Sequence, residues 1–554
     1  MAMVPTTTGG GIPVILLKEG TKEARGREAL KNNLTAAKLV AELVRTSLGP
    51  RGMDKMLVDS LGDVTITNDG AVMLKEMDVQ HPAAKMMVEI AKATDNEVGD
   101  GTTSVVVLAG ELLSQAEDLI NKDVHPTVIV DGYRRAGEQA LKFLKEMAIK
   151  IDPDDREWLL KVAKVAMASK LVSPDALELA NLVVDAVLTV ADKKPDGTYK
   201  VDVDAIKLEK KPGGSITDTR LIKGVAIDKE VVHAGMPKRV ENAKIALLNC
   251  PLEIEKPEFD AKINITSPEQ MKAFLDEEAK MLKEMVDKIA STGANVVLCQ
   301  KGIDDVAQHY LARAKILAVR RVKMSDMEKL SRATGAKIVS NVDSLTGEDL
   351  GCADLVEERK IEEDKWVFIE GCKNPKSVTI FIRGGSQRVV DEAERSLRDS
   401  LMVTKDVLEK PYVVVGGGAT EAELAAKVEG WAQTLTGREQ LSAMNFAKAL
   451  EKIPITLAEN GGMDPIDIQV ELRSKHSEGG KWYGIDFDKN GVGDLYEKEV
   501  FEPLSVKEQI IKAATEAACM ILRIDDVIAA SKLKEPSGGK GGGAGGEEGG
   551  GFGE

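Results

Sequence analysis

Aromatic side chains are scarce in this 554-residue chain: four Trp, six Tyr and nine Phe make up 3% of it. A core with so few rings has to be built from aliphatic side chains, and the wealth of Ala, Leu, Glu and Lys favours helices. Cysteine is as sparse. Cys250, Cys299, Cys352, Cys372 and Cys519 are odd in number, widely spaced and contain no C-x-x-C pair. They fit reduced thiols better than a disulfide framework or a zinc site. The five histidines, His81, His125, His233, His309 and His476, never fall into H-E-x-x-H or another metal spacing. No run of about 18 apolar residues occurs, so no membrane span is expected. The first residues lack a basic stretch followed by an apolar one, so no secretory signal is expected and a soluble, cytoplasmic protein is. Several catalytic signatures are also missing: G-x-x-x-x-G-K-[ST], the H-R-D and D-F-G pair, and the G-x-S-x-G elbow. Catalysis, if present, has to come from carboxylates, hydroxyls and backbone amides.

Positive charge is in deficit, with a net charge of −16. Nucleic-acid binding needs a basic surface, so a nucleic-acid backbone is not expected as the main partner. The length is too great for one ordinary core and predicts three or four domains.

What is present has a nested order. Residues 28–150 read as mainly helical. Leu34, Ala37, Ala41 and Val44 keep helical spacing, and Leu48-Gly49-Pro50-Arg51-Gly52 stops that helix. Val64-Thr65-Ile66-Thr67 alternates like a strand and runs into Asn68-Asp69-Gly70, a turn signal. Helices are predicted over 83–96 and 102–121, joined by Val98-Gly99-Asp100-Gly101. A strand is expected over 201–208. Residues 225–375 differ in texture: Ile245–Leu248 and Val296–Leu298 look like buried strands alternating with helices, as does Val378–Ile382 just beyond. Residues 410–533 return to helical, Ala-rich sequence. The simplest account is one domain built from both ends with the middle inserted. Residues 537–554 have Gly at eleven of eighteen positions and are expected to be disordered.

One inserted segment is unusual. Ser267-Pro268-Glu269-Gln270 reads as an N-cap, a proline at the first helical position and a capping-box Gln. Met271, Leu275, Leu282, Met285 and Ile289 then form a single apolar stripe up to Gly293. An ordinary surface helix and a projecting helix with an adaptable, Met-containing contact stripe both satisfy that pattern.

Three glycine turns stand out. In Gly99-Asp100-Gly101-Thr102-Thr103-Ser104, glycines allow close approach of backbone amides to an anion at a helix N-terminus. Thr102 and Thr103 would add hydroxyl donors, and Asp100 a hard oxygen for Mg²⁺. An Asp/Thr helix cap with no ligand fits the same residues. Leu48-Gly49-Pro50-Arg51-Gly52 and Gly416-Gly417-Gly418-Ala419 are each readable as plain turns. Together, without a P-loop lysine, the three suggest a different kind of nucleotide pocket.

The sequences Ser47-Leu48-Gly49-Pro50-Arg51-Gly52-Met53-Asp54-Lys55-Met56, Thr67-Asn68-Asp69-Gly70, Gly99–Thr103 and Gly416-Gly417-Gly418 occur in the order and spacing of chaperonins. Leu355-Val356-Glu357-Glu358-Arg359-Lys360 and Leu522-Arg523-Ile524-Asp525-Asp526 resemble the archaeal and eukaryotic branch. Over residues 15–535 the chain thus resembles the group II chaperonins, and among them the archaeal thermosome subunits. That resemblance implies a multidomain fold of α and α/β parts. Residues 1–153 and 410–536 would form a mainly helical equatorial domain, 154–223 and 376–409 a small α/β intermediate domain, and 224–375 an inserted α/β apical domain. Residues 255–293 would be the helical protrusion that acts as a built-in lid.

The resemblance also implies site residues. Asp100 would bind Mg²⁺, with Gly101, Thr102, Thr103 and Ser104 on the phosphates of ATP. Ser47, Leu48, Gly49 and Pro50 would line the other side of the phosphate chain. Gly416 and Gly417 would approach base and ribose, and Glu502 would accept from ribose hydroxyls. Asp69 and Asp399 would position and activate the attacking water, and Lys170 would sense the γ-phosphate. By the residues alone Asp69 is a turn residue, Asp399 a solvated helix residue and Lys170 a helix-end lysine favoured by the dipole. The implied function is an ATP-dependent chaperone. Its partners would be sister subunits in two stacked rings and unfolded client proteins. A ring member without hydrolysis and a metabolic nucleotide enzyme are the competing readings; intact Asp69, Asp100 and Asp399 weigh against the first, and 225–375 holds no catalytic constellation for the second.

Overall fold

The computed structural model describes residues 22–59, 62–77, 79–168, 170, 175–254, 267–373 and 375–529. The Gly-rich 537–554 tail, the 255–266 part of the expected protrusion and Ser169 lie outside the described residues.

The first hydrophobic core draws on both ends of the chain, from Leu30 to Ile206 and from Val378 to Leu522. At its centre lies the Thr102–Asn121 helix, packed against Gly26–Arg45, Arg438–Asn460 and Leu504–Leu522. It buries Val105, Val106, Val107, Leu108 and Leu112, which point all round the helix, as a fully enclosed helix requires. Its neighbour Gly26–Arg45 has one buried face instead, with Leu30, Leu34, Ala37, Ala41 and Val44 at the expected spacing. A methyl group on Gly110 would strike the Ala41 methyl, so these two helices approach as closely as small residues allow. Lys22–Arg25 pairs antiparallel with Asp526–Ala529, joining the two ends through backbone bonds.

The second core runs from Val225 to Cys372. Its seven-stranded sheet places Leu317–Val319, Val296–Cys299, Arg239–Leu248, Gly351–Ile361, Asp364–Glu370 and Gly224–Ile227 side by side, with Ile338–Val339 also on Arg239–Leu248. The pairings of Arg239–Leu248 with Val296–Cys299 and of Val296–Cys299 with Leu317–Val319 are parallel, and their strands read as unbroken apolar runs because helices cover them. The other half of the sheet is antiparallel.

Between the cores lies a three-stranded sheet in which Val378–Gly384 is flanked by Ile206–Pro212, parallel, and Arg220–Ile222, antiparallel. A small aromatic cluster of Trp366, Phe368 and Phe381 packs where this sheet meets the second core. All five cysteines are free. Burial pushes the Cys299 thiol up to about 12, so it behaves as a packed apolar group.

Several predicted elements fall where expected: strand Val64–Thr67 and helices Pro82–Val98 and Thr102–Asn121. Three expectations need correction. The Asn68-Asp69-Gly70 signal is not a free turn but the start of the Gly70–Glu76 helix, for which Asp69 is the N-cap. The strand expected over 201–208 begins only at Ile206, because Asp202 caps a 3₁₀ turn, Val203–Ala205, first. Ser267 does cap Pro268–Ser291 by accepting from the Gln270 N–H at 3.2 Å. The apolar stripe of that helix is split, however. Leu282, Val286 and Ile289 are buried, while Met271, Phe274, Leu275 and Met281 are exposed.

Candidate functional site: a two-part cleft on a helix N-terminus

The glycine turns converge on the N-terminus of Thr102–Asn121. Gly99 ends the preceding helix at φ 68° and Gly101 caps the next at φ 77°, both in the left-handed region. A side chain at Gly101 would also meet Ile510 Cδ1 at 2.7 Å. The chain therefore reverses between two helices in three residues, and the Thr102 helix begins with its amides facing a polar cleft. Ser47, Leu48, Gly49, Asn68, Asp69, Asp100, Gly101, Thr102, Thr103, Ser104 and Lys170 line that cleft. Asp69 is fixed in it twice: Oδ2 accepts from the Val72 N–H and Oδ1 accepts from the Thr102 hydroxyl, both at 2.8 Å. The Asp100 carboxylate accepts from the Gly101 N–H at 2.6 Å.

The 46–53 turn closes one wall. Asn460 donates to the Arg45 and Leu48 carbonyls at 3.0 and 2.9 Å, and Arg51 donates to the Gly461 and Phe487 carbonyls. These four bonds explain how a partly exposed glycine turn is held in one shape.

A second, mostly apolar hollow of about 250 Å³ opens from the same point. It shares Leu48, Gly49, Asp100, Gly101 and Ser104 with the polar cleft, and Pro50, Gly417, Gly418, Ile485, Phe487, Leu495 and Glu502 extend it. Gly416 lies just outside its lining, beneath Glu502. A polar cleft continuous with an apolar hollow is the shape a nucleotide needs: phosphates on amides and hydroxyls, the base against aliphatic walls.

Lys170 and Asp399 meet at the far end. Their ion pair is buried, with Lys170 on the wall of the polar cleft. Asp399 lines a different hollow of about 400 Å³, beside Asp95, Asp202, Asp204, Arg398 and Lys405. The solvated helix position that the residues alone suggested for Asp399 is thus a buried one, on the inner face of Gln387–Glu409.

Burial opposes the charge on Lys170, yet Asp399, Asp69 and Asp100 outweigh it and hold the ammonium above its usual range. Burial likewise drives Asp399 well above the usual carboxylate range, with Lys170 opposing and Asp69 and Asp100 adding. Three carboxyl groups face the one ammonium and keep it charged. Burial also raises Asp100. Around that ammonium Asp69, Asp100 and Asp399 gather carboxyl oxygens, the hard ligands that suit a divalent cation. Among the described residues, no three His, Cys, Asp or Glu side chains already form a metal cage. Asp100, on the wall of the polar cleft, is the residue that would offer Mg²⁺ a hard oxygen.

Sequence reasoning missed two residues, Lys507 and Glu421. Lys507 lines the apolar hollow and pairs with Glu421 and Glu502, each at 2.7 Å. A lysine in the first turn of an Ala-rich helix opposes the helix dipole, and that anomaly was readable.

Known proteins resemble this chain along almost its whole length. Residues 40–532 match the TCP-1/cpn60 chaperonin family. The chain is 59% identical over 531 residues to thermosome subunit alpha of Archaeoglobus fulgidus, covering 96% of this chain and 97% of that one. It is 59% identical over 532 residues to a thermosome subunit of Pyrococcus horikoshii, again 96% and 97% of the two chains. A thermosome subunit of Methanopyrus kandleri is 59% identical over 535 residues, 97% of each. Among the described residues no helix is long and apolar enough to cross a membrane. With its glycine turns gathered around one helix N-terminus and its full length matched, the chain belongs to the TCP-1/cpn60 chaperonins, in the group II branch.

Proposed function

We propose that this chain is an ATP-hydrolysing chaperone subunit that assembles with sister subunits into two stacked rings and encloses unfolded proteins for folding. The observation that carries the reading is the polar cleft and apolar hollow sharing the Thr102 helix N-terminus. The amides there, that of Thr102 included, and the Thr103 and Ser104 hydroxyls would hold phosphates, opposite Ser47, Leu48, Gly49 and Pro50, while the Thr102 hydroxyl stays on Asp69. Gly416, Gly417 and Glu502 would bound the ribose and base. Asp100 would hold Mg²⁺, which when bound neutralises charge on the phosphates undergoing transfer. Asp69 and Asp399 would orient the attacking water and take its proton, with Lys170 reporting the γ-phosphate.

The proposed division assigns 1–153 and 410–536 to an equatorial domain, 154–223 and 376–409 to an intermediate one, and 224–375 to an apical one with a protrusion at 255–293. Asp69 and Asp100 then belong to one body, Lys170 and Asp399 to another. A site completed only when the two close couples hydrolysis to swinging of the apical domain. Exposed Met271 and Leu275 would meet clients or neighbouring lids. A cytoplasmic setting fits the five free thiols.

The test is steady-state ATP hydrolysis with Mg²⁺, wild type against Asp399→Ala, alongside refolding of a denatured client. Both activities are expected in wild type and lost in the variant. Normal hydrolysis by the variant would remove Asp399 from water activation, and an inactive wild type would overturn the ATPase reading.

A further inference from the structure

We infer that Lys507 is a positioning residue that aims Glu502 at the ribose, so that this buried lysine sets the preference for ribonucleotides. The inference rests on the nucleotide reading above.

Two strand-to-helix turns flank the apolar hollow. Tyr412–Val415 leads through Gly416–Gly418 into Ala419–Ala432, and Phe501–Pro503 leads directly into Leu504–Leu522. The strands are neighbours, with Val414 opposite Glu502. Lys507 extends from the first turn of one helix to the first turn of the other. Its ammonium bonds Glu421 Oε1 and Glu502 Oε2, each at 2.7 Å. The Lys507 and Glu421 side chains are 6% and 8% exposed, against 22% for Glu502, so only Glu502 reaches open space.

The orientation of Glu502 follows from these contacts. Oε2 is taken by Lys507, and Oε1 lies over Gly416, where a methyl group would collide with it. The free oxygen thus sits at the edge of the hollow, above the turn expected against the sugar. Nothing else pins it: among the described residues Glu502 has no other ion pair or side-chain hydrogen bond.

The arrangement is costly, which argues that it serves the site. A cation in the first helical turn opposes the dipole. Glu421 Oε2 is buried with no hydrogen-bond partner, so that carboxylate is retained for its single contact with Lys507. Burial disfavours the ammonium, and Glu421 and Glu502 together more than restore it. Sites that break several local rules at once are commonly functional.

Lys507→Met alone leaves two carboxylates without their cation and is a poor probe. Lys507→Met/Glu421→Gln removes the buried charges together and leaves Glu502 in place, unaimed. The experiment measures KM and kcat of the assembled protein for ATP, 2′-deoxy-ATP and 3′-deoxy-ATP, with thermal unfolding as a check on folding. For the double variant, KM for ATP should rise about tenfold, the value of one charge-assisted hydrogen bond. That rise should exceed any fall in kcat, and preference for ATP over the deoxynucleotides should shrink towards one. Equal losses on all three nucleotides, or a loss confined to kcat, would make Lys507 merely structural and overturn the inference. Glu502→Gln is the control: if wild type discriminates and Glu502→Gln discriminates equally well, the ribose assignment itself fails, whatever Lys507 does.

Discussion

Lys170 and Asp399, 229 residues apart in the chain, form an ion pair whose side chains are only 7% and 12% exposed. Lysine lies on the polar cleft and aspartate on the hollow behind it, so the pair is the partition between them. A partition made of two charges can open only if each finds another partner. A γ-phosphate in the cleft would offer Lys170 such a partner and free Asp399 for water.

Lys170→Met should therefore be worse for stability than removal of both charges. Breaking a buried pair from one side costs about 3–5 kcal/mol, because the remaining ion has no partner. Lys170→Met/Asp399→Asn should regain most of that loss while hydrolysis stays absent in both. Thermal unfolding of the two variants beside wild type checks the order, and a double variant no more stable than the single one would contradict it.

How much of this was legible beforehand varied by element. The helices around Thr102 were readable because apolar periodicity and glycine punctuation agree there. Asp399 was not, since its surroundings, Arg395-Ser396-Leu397-Arg398, are those of any polar helix. Its buried partner Lys170 comes from a segment 229 residues away, and no local pattern encodes that. The strand expected over 201–208 starts late, at Ile206, for a local reason: Asp202 accepts from the Asp204 N–H at 3.1 Å and diverts the backbone into a 3₁₀ turn. The stripe of Pro268–Ser291 was right in period and wrong in extent. Periodicity identifies a face but not how far along the helix a partner covers it.

Gly70 provides a test of how rigidly Asp69 must be held. A methyl group there would lie 2.8 Å from Thr103 Oγ1 and 2.9 Å from Thr103 N, against backbone that cannot yield. Gly70→Ala should push the Gly70–Glu76 helix off the Thr102 helix and break the Asp69–Thr102 bond. ATP turnover should fall at least tenfold, since displacements near 1 Å can cost a hundredfold. Gly385→Ala meets nothing within 4 Å and should be silent in the same assay.

Asp406 predicts a pH dependence. It is buried on Gln387–Glu409 and accepts from the Ser505 hydroxyl at 2.9 Å. Burial, only partly offset by Ser505 and Lys405, raises its carboxyl to about 6. An unfolded aspartate releases its proton near pH 4. Between these values the folded state holds more protons, so the favourable contribution is full below pH 4 and is lost as pH rises through 6. A gap of about two pK units corresponds to about 3 kcal/mol. Asp406→Asn keeps an acceptor for Ser505 without that penalty. Its unfolding temperature should match wild type at pH 4 and exceed it at pH 7.5; no gain at pH 7.5 would refute the assignment.

The two halves of Pro268–Ser291 should respond oppositely to truncation. Leu282, Val286 and Ile289 follow i, i+4, i+7 and are buried on the second core, so Leu282→Ala should cost about 2–5 kcal/mol by leaving a cavity. Met271, Phe274 and Leu275 occupy the uncovered half at 47%, 38% and 54% exposure. Substituting Leu275 by Ser there should change stability by less than about 0.5 kcal/mol. If the exposed half is a contact surface, the Met271→Ser/Leu275→Ser variant should keep its unfolding temperature and ATP turnover yet hold less denatured client. Client retention measured by co-sedimentation separates the two roles, because a purely structural stripe would lose stability first and a contact stripe would lose only the client.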